Sequence, residues 1–140
     1  MGLKEVAFNR CHGIRSFKLG RFKNLSSLEL ANCWAFESLE LPKHMHSLLP
    51  SLKKLTLSHC TILRSFPQGG LPSSIEILLI RGCVGIESSP EGGFPSNLKM
   101  LKITNCGKLV ADRKNWGLQT LQTLSSLRRL TLLPPIFVSP

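Results

Sequence analysis

Apolar residues recur along the chain in one short pattern, apolar-x-x-apolar-x-apolar-x-x-Cys-x-x-apolar. The five complete rows are Leu3, Val6, Phe8, Cys11, Ile14; Leu25, Leu28, Leu30, Cys33, Phe36; Leu52, Leu55, Leu57, Cys60, Leu63; Ile75, Leu78, Ile80, Cys83, Ile86; and Leu98, Leu101, Ile103, Cys106, Leu109. Leu127, Leu130 and Leu132 begin a sixth row, which loses the pattern in LPPIFVSP. Successive rows start 22, 27, 23, 23 and 29 residues apart, which indicates a protein built from stacked repeats.

The spacing within each row predicts a short strand with one apolar side. Leu55 and Leu57 lie two residues apart and point to one side of the strand, whereas Lys54, Thr56 and Ser58 point to the other. A single strand cannot bury its apolar side, so stacked rows form a parallel sheet over a continuous core. We therefore predict a leucine-rich repeat, an α/β solenoid with a parallel sheet on its concave face. Strands are expected near residues 5–9, 27–31, 54–58, 77–81, 100–104 and 129–132.

The segments between strands predict a return side with little helix. FPQGGLPSS and SPEGGFPSN combine Pro, which fixes φ, with Gly, which permits positive φ, and so favour compact irregular loops. LPKHMHSLLPS and DRKNWGLQTLQTLSS are longer and leave room for a helical turn or two. Residues 1–140 are then one domain of about six repeats that start near residues 3, 25, 52, 75, 98 and 127, the last incomplete.

Four segments also carry a family resemblance. CTILRSFPQGGLPSSIEILLIRGC, IESSPEGG, LKITNCGKL and WGLQTL resemble the C-terminal leucine-rich region of plant nucleotide-binding, leucine-rich-repeat disease resistance proteins of the coiled-coil class. The resemblance covers roughly residues 3–133. It implies a recognition module of a cytoplasmic or nuclear immune receptor. Such modules bind a pathogen effector or a guarded host protein, and they help to hold the receptor's nucleotide-binding domain in its off state.

The chain departs from that family in two ways. It has no Gly-x-x-x-x-Gly-Lys-Ser/Thr phosphate loop, because the only Gly-Lys, at Gly107-Lys108, lacks that context, and it has no heptad run. We therefore expect a fragment that keeps the recognition end and neither binds nor hydrolyses ATP, with no cofactor. The first row follows Met1 directly, so we also expect a bare first sheet edge.

The charge balance bears on the kind of partner. The chain has 18 Lys and Arg against 8 Asp and Glu, a net charge of +10, which suits nucleic acid, anionic lipid or an acidic protein surface. There is no Tyr, and Phe8 and Phe17 fall on apolar register positions, so the aromatic platforms of single-strand binders are missing. No apolar run approaches the roughly 18 residues of a membrane span. We expect a protein partner, with nucleic-acid or anionic-surface binding as the alternative.

The residues that suggest catalytic or metal chemistry each have a structural explanation. The five cysteines lack a Cys-x-x-Cys pair and share one register, which favours buried, reduced thiols over zinc or redox chemistry. His44 and His46 form a weak His-x-His metal signal, and we expect them in a solvated loop. Trp116, in the long return between rows five and six, either anchors a partner or packs on the convex side and closes that loop. Without a nucleophile or paired acids, we expect no enzymatic activity.

The side chains that alternate with the core residues form the strongest candidate site. Several are basic, and a basic concave surface would steer an acidic protein partner and bind it in a salt-dependent manner. The alternatives are a solvated face kept charged for solubility, or a gene remnant that never folds. The predicted binding residues are Lys53, Lys54, Thr56, His59, Ile77, Leu79, Arg81, Lys99, Lys102, Thr104, Arg128 and Arg129.

Overall fold

Six parallel strands form one sheet in sequence order in a computed structural model of the chain. The structure describes residues 4–9, 22–32 and 44–112, together with the backbone of residues 129–133. The strands are β1 (Glu5–Asn9), β2 (Ser27–Ala31), β3 (Lys54–Ser58), β4 (Ile77–Arg81), β5 (Met100–Thr104) and β6 (Arg129–Leu133). The predicted α/β solenoid with a parallel sheet is confirmed, and each predicted strand is present, the last one residue longer than expected.

The inward side chains of neighbouring strands stack in register. Leu28 pairs with Leu55, Leu55 with Leu78, and Leu78 with Leu101. A second row follows two residues later along each strand and includes Leu57. From β2 to β5 these inward side chains are at most 1% exposed, so the repeated apolar positions form one continuous core.

The amino end of each strand has a distinctive hydrogen-bond pattern. One carbonyl accepts hydrogen bonds from two successive amides of the next repeat, as when the Ser26 carbonyl accepts from the amides of Lys53 and Lys54 at 2.8 and 2.9 Å. The same double acceptance recurs at the carbonyls of Lys4, Lys53 and Glu76. We call this arrangement the double-acceptor corner. It brings the chain from the return side onto the sheet.

The return segments are mostly irregular, as predicted. In FPQGGLPSS the Gly70 amide donates to the Pro67 carbonyl at 3.1 Å, and the turn is closed with positive φ at Gly69. The equivalent turn in the next repeat joins Gly93 to Pro90 at 2.9 Å. The shared Pro-x-Gly-Gly sequence of these two segments thus gives them the same turn.

Two short helices occur in the described residues. α1 (Met45–Leu48) supplies the helical turn expected in LPKHMHSLLPS and buries Met45. α2 (Gly107–Ala111) follows Cys106 directly and buries Leu109 and Val110; it was not predicted. DRKNWGLQTLQTLSS lies mainly outside the described residues, so its expected helical turn stays a prediction. No helix in the described residues is long and apolar enough to cross a membrane.

A column of left-handed residues follows the strands. Asn32, His59, Gly82 and Asn105 each come directly after a strand and have φ between 53° and 65°. The amides of the first three continue the inter-strand ladder by donating to the last carbonyl of the next strand, at 2.7 to 2.8 Å. Asn and Gly adopt this conformation readily, but His does so less often. We call these four residues the left-handed column.

Candidate functional site

The outward side chains of the strands form a continuous surface, which we call the outward sheet face. It is the face that the sequence predicts as concave, and within the described side chains it runs from β1 to β5. Its members, in strand order, are Glu5, Ala7, Asn9; Ser27, Glu29, Ala31; Lys54, Thr56, Ser58; Ile77, Leu79, Arg81; and Met100, Lys102, Thr104. Its acids lie on β1 and β2, and its cations on β3 to β5, so the face is electrostatically polarised along the solenoid.

The predicted basic stripe divides into two groups. Lys53 and Lys99 lie at the double-acceptor corners, on either side of Glu76. The Glu76 carboxylate is 3.0 Å from the Lys99 ammonium and 3.9 Å from that of Lys53. The hydrogen bond from Lys99, reinforced by the charge of Lys53, lowers the pKa of Glu76. These two lysines are therefore partly neutralised, whereas Arg81 and Lys102 form no ion pair among the described residues.

The outward sheet face carries an apolar cluster on β4 and β5. Ile77, Leu79 and Met100 occupy neighbouring outward positions there, and all three are half-buried. Apolar side chains with charged residues around them are common at protein-binding surfaces. The predicted residues Ile77 and Leu79 thus lie between the two groups of basic side chains.

A shallow hollow crosses this face from β2 to β5. Its volume is about 190 Å³. It is lined by Glu29, Thr56, Ser58, Leu79, Arg81, Lys102 and Thr104. Glu29, Thr56, Leu79 and Lys102 are successive partners across the four strands. At the usual strand spacing of about 4.8 Å, the acid and the lysine lie roughly 14 Å apart, at opposite ends of the hollow.

Thr104 is not the exposed residue that the sequence predicts. It is only 7% exposed, and its hydroxyl oxygen is buried with no hydrogen-bond partner. The side chain occupies an outward position and lines the hollow together with the longer side chains of Arg81 and Lys102. A buried hydroxyl without a partner is unfavourable, because its bond to water is lost and not replaced.

We expect Thr104→Val to stabilise the fold. Valine has nearly the same shape and removes the unsatisfied hydroxyl, so the free energy of unfolding should rise by about 1 kcal/mol. Thr56→Val is the control, because the Thr56 side chain is half-exposed on the same face and its change should be close to zero. Urea unfolding of both variants measures the difference. A loss of stability in Thr104→Val would show that the hydroxyl is satisfied.

His59 belongs to the left-handed column and does not lie on the outward sheet face. Its side chain is exposed, but its ring lies against Gly82 of the next repeat. A methyl group added at Gly82 would approach the His59 Nδ1 to 2.5 Å. The sequence groups His59 with the binding residues, whereas the structure also shows it packing between repeats.

The three described cysteines form a buried column behind the strand ends. Cys60, Cys83 and Cys106 form no disulfide among the described residues and have no exposed surface. Cys60 donates to the Leu30 carbonyl at 3.4 Å, and Cys106 to the Thr104 carbonyl at 3.3 Å. Hydrogen bonding with Cys60 and burial raise the pKa of the Cys83 thiol, and burial raises that of Cys106. Thiols held neutral in this way pack as small apolar groups, as the sequence predicts.

The raised thiol pKa makes stability depend on alkaline pH. Above the ordinary thiol pKa of 9.0, the unfolded chain loses the Cys83 proton while the folded chain keeps it. The free energy of unfolding should therefore fall as pH rises past that value, by about 1.4 kcal/mol per pH unit for this one thiol. Urea unfolding at increasing pH measures the slope. The slope of Cys83→Ala should be shallower by that amount, and equal slopes would contradict the buried, protonated thiol.

His44 and His46 flank the start of α1 and are exposed. Their rings meet edge to face with centroids 5.9 Å apart, and they lie beside Gly69 of the next return loop. Within the part of the chain that the structure describes, no group of three His, Cys, Asp or Glu side chains is placed to hold a metal ion. Both histidines are exposed, as the sequence predicts, but His46 belongs to the helical turn α1 and not to a loop.

Several predicted residues lie outside the described residues. Arg128, Trp116, Cys11 and Cys33 are among them, and of Arg129 only the backbone position at the start of β6 is described. Two features of the structure were not predicted: Glu29 shares a hollow with basic residues, and the residues after the strands form the left-handed column. The column has a sequence signal, since Asn, His, Gly and Asn stand directly before the cysteine of four successive rows.

The geometry defines the chain as a leucine-rich-repeat-like solenoid with one continuous parallel sheet. No protein-family model matches the chain, and neither a curated protein nor a solved structure is detectably similar to it. The class of protein therefore rests on the repeat pattern and the sheet register alone.

Proposed function

We propose that the chain is a protein-interaction module whose binding surface is the outward sheet face. One observation carries the proposal: apolar Ile77, Leu79 and Met100 form a half-buried cluster on β4 and β5, within the basic half of a face whose other half is acidic. Extended sheet faces of this kind are the recognition surfaces of solenoid proteins. Polarised charge favours a partner of complementary charge and speeds its association.

The resemblance noted in the sequence supports a more specific role. It suggests the recognition region of a plant intracellular immune receptor, acting in the cytoplasm or nucleus in the defence response. The partner is then a pathogen effector, a guarded host protein or the receptor's own nucleotide-binding domain. Binding would act by shifting a switch between two states, to the extent that the partner prefers one of them. This role requires no enzymatic activity and no cofactor.

Substitutions on and off the face test the proposal. Leu79→Arg places a charge in the apolar cluster of the outward sheet face, whereas Val84→Arg makes the same kind of change at an apolar side chain that is 50% exposed and lies outside that face. In proximity labelling after expression in plant leaves, Leu79→Arg should lose protein partners that the parent chain and Val84→Arg retain. Equal labelling by all three chains would overturn the proposed binding surface.

The competing function is binding to nucleic acid through the +10 charge. A titration of the purified chain with a labelled DNA duplex at increasing salt separates the two. A protein-interaction module should bind the duplex weakly and without preference. Tight duplex binding that falls steeply with salt, with no protein partner retained under the same conditions, would favour the alternative. A cooperative thermal melt of the same preparation excludes a remnant that does not fold.

A further inference from the structure

We infer that the hollow on the outward sheet face binds a carboxylate side chain of a protein partner, with an aliphatic neighbour of that residue packed on Leu79. The inference rests on the proposed function and specifies the chemistry of its partner. It assigns Arg81 and Lys102 to charge recognition, the Thr104 hydroxyl to hydrogen bonding and Leu79 to apolar contact.

The position of the cations supports a single anionic group. Lys102 faces Leu79 in the strand register, and Arg81 faces Thr104, so the two cations lie on adjacent strands and diagonal to each other. Both line the hollow, and neither is in an ion pair among the described residues. Lys53 and Lys99 differ, because Glu76 already lies between them. The hollow therefore holds the two described cations of the face that are best placed to share one anion.

The Thr104 hydroxyl is the second and independent observation. Thr104 lines the same hollow, and its hydroxyl oxygen is buried at the edge of it without a hydrogen-bond partner. A polar group in this state is unfavourable in the free protein, and a ligand that accepts its hydrogen removes the penalty. A carboxylate oxygen between Lys102 and Arg81 would be such an acceptor. Arg81 and Lys102 thus supply two positive charges, and the Thr104 hydroxyl one hydrogen-bond donor, to a single carboxylate.

The opposite end of the hollow limits the charge of the ligand. Glu29 lies across the hollow from Lys102, beyond Thr56 and Leu79. The lining groups therefore carry a net charge of only about +1, which matches one carboxylate. A phosphate backbone that ran along the hollow would bring negative charge close to Glu29 and leave it uncompensated. Leu79 is half-buried between the two ends and offers apolar contact that a polyanion would not use.

The test uses a phage-displayed library of random peptides selected on the folded chain. Selected peptides should be enriched in Asp or Glu beside Leu, Ile or Val. In a synthetic copy of the best peptide, changing that acid to its amide should weaken binding about tenfold, the usual effect of losing one charge-assisted hydrogen bond. Lys102→Gln should weaken the parent peptide to a similar extent. Lys23→Gln makes the same change of charge at an exposed turn before β2 and should alter affinity less than twofold.

A double-mutant cycle locates the contact. If the peptide acid binds Lys102, the amide peptide should lose no further affinity on Lys102→Gln. Thr104→Val should also weaken binding of the acidic peptide several-fold. A thermal melt of the same preparation checks that this variant is still folded. Selection of peptides without acids, additive losses in the cycle, equal losses for Lys23→Gln and Lys102→Gln, or no selected peptide at all would each overturn the inference. The proposed function is judged separately, because the Leu79→Arg and Val84→Arg comparison does not depend on a carboxylate.

Discussion

Replacing Leu78 by alanine is expected to lower the free energy of unfolding by about 3 kcal/mol. Leu78 is fully buried on β4, with Leu55 and Leu101 as its register partners on the neighbouring strands. Removing its branched end takes apolar surface out of the middle of the leucine column and leaves a cavity that two repeats share. Urea unfolding monitored by circular dichroism measures the loss as a lower midpoint with an unchanged slope.

The adjacent residue provides the control. Leu79 has the same side chain one position later, on the outward sheet face, and is only half-buried. Leu79→Ala should therefore lower the free energy of unfolding by well under half as much as Leu78→Ala. Equal losses of unfolding free energy for the two leucines would contradict the difference in burial between the inward and outward sides of β4.

Replacing Gly82 by alanine is expected to lower stability by about 2 kcal/mol. Gly82 has φ of 65°, which an alanine adopts at a cost, and the added methyl carbon would lie 2.5 Å from Nδ1 and 2.9 Å from Cε1 of the His59 ring. The loss therefore has a backbone part and a steric part. Equilibrium unfolding of two further variants separates them.

Gly92→Ala isolates the backbone part, because Gly92 has φ of 79° and an added methyl carbon there would have no atom within 4 Å. It should cost about 1 kcal/mol. The steric part should disappear when His59→Ala is combined with Gly82→Ala. A smaller loss at Gly82 than at Gly92 would contradict the packing of the His59 ring between repeats.

The strands could be predicted almost residue by residue because the core imposes the same constraint on every repeat. Leu55 and Leu57 are inward because the pleat alternates, and the same spacing recurs in each row, so one register fits all of them. The return loops were predictable for a related reason. Pro67 and Gly69, like their counterparts in the next repeat, determine the turn locally, without help from the rest of the fold.

The candidate site was predicted less well, because apolar spacing does not determine which polar side chains meet. Glu76 shares the corner position with Lys53 and Lys99, and only the register shows that it lies between them. Thr104 occupies an outward position, yet it is buried, which the alternation along the strand does not predict. α2 was not predicted because it has only five residues and its N-cap, Cys106, makes no side-chain capping hydrogen bond.

The double-acceptor corner has a consequence for how this surface can change over generations. Because one carbonyl accepts two successive amides, each repeat presents two adjacent side chains at its corner, such as Lys53 and Lys54, that take no part in the leucine column. The hydrogen bonds that make the corner come from the backbone, so they do not depend on which side chains stand there. Substitutions at these positions change the charge and polarity of the face without removing the backbone hydrogen bonds of the fold. Binding specificity can therefore diversify with little loss of stability.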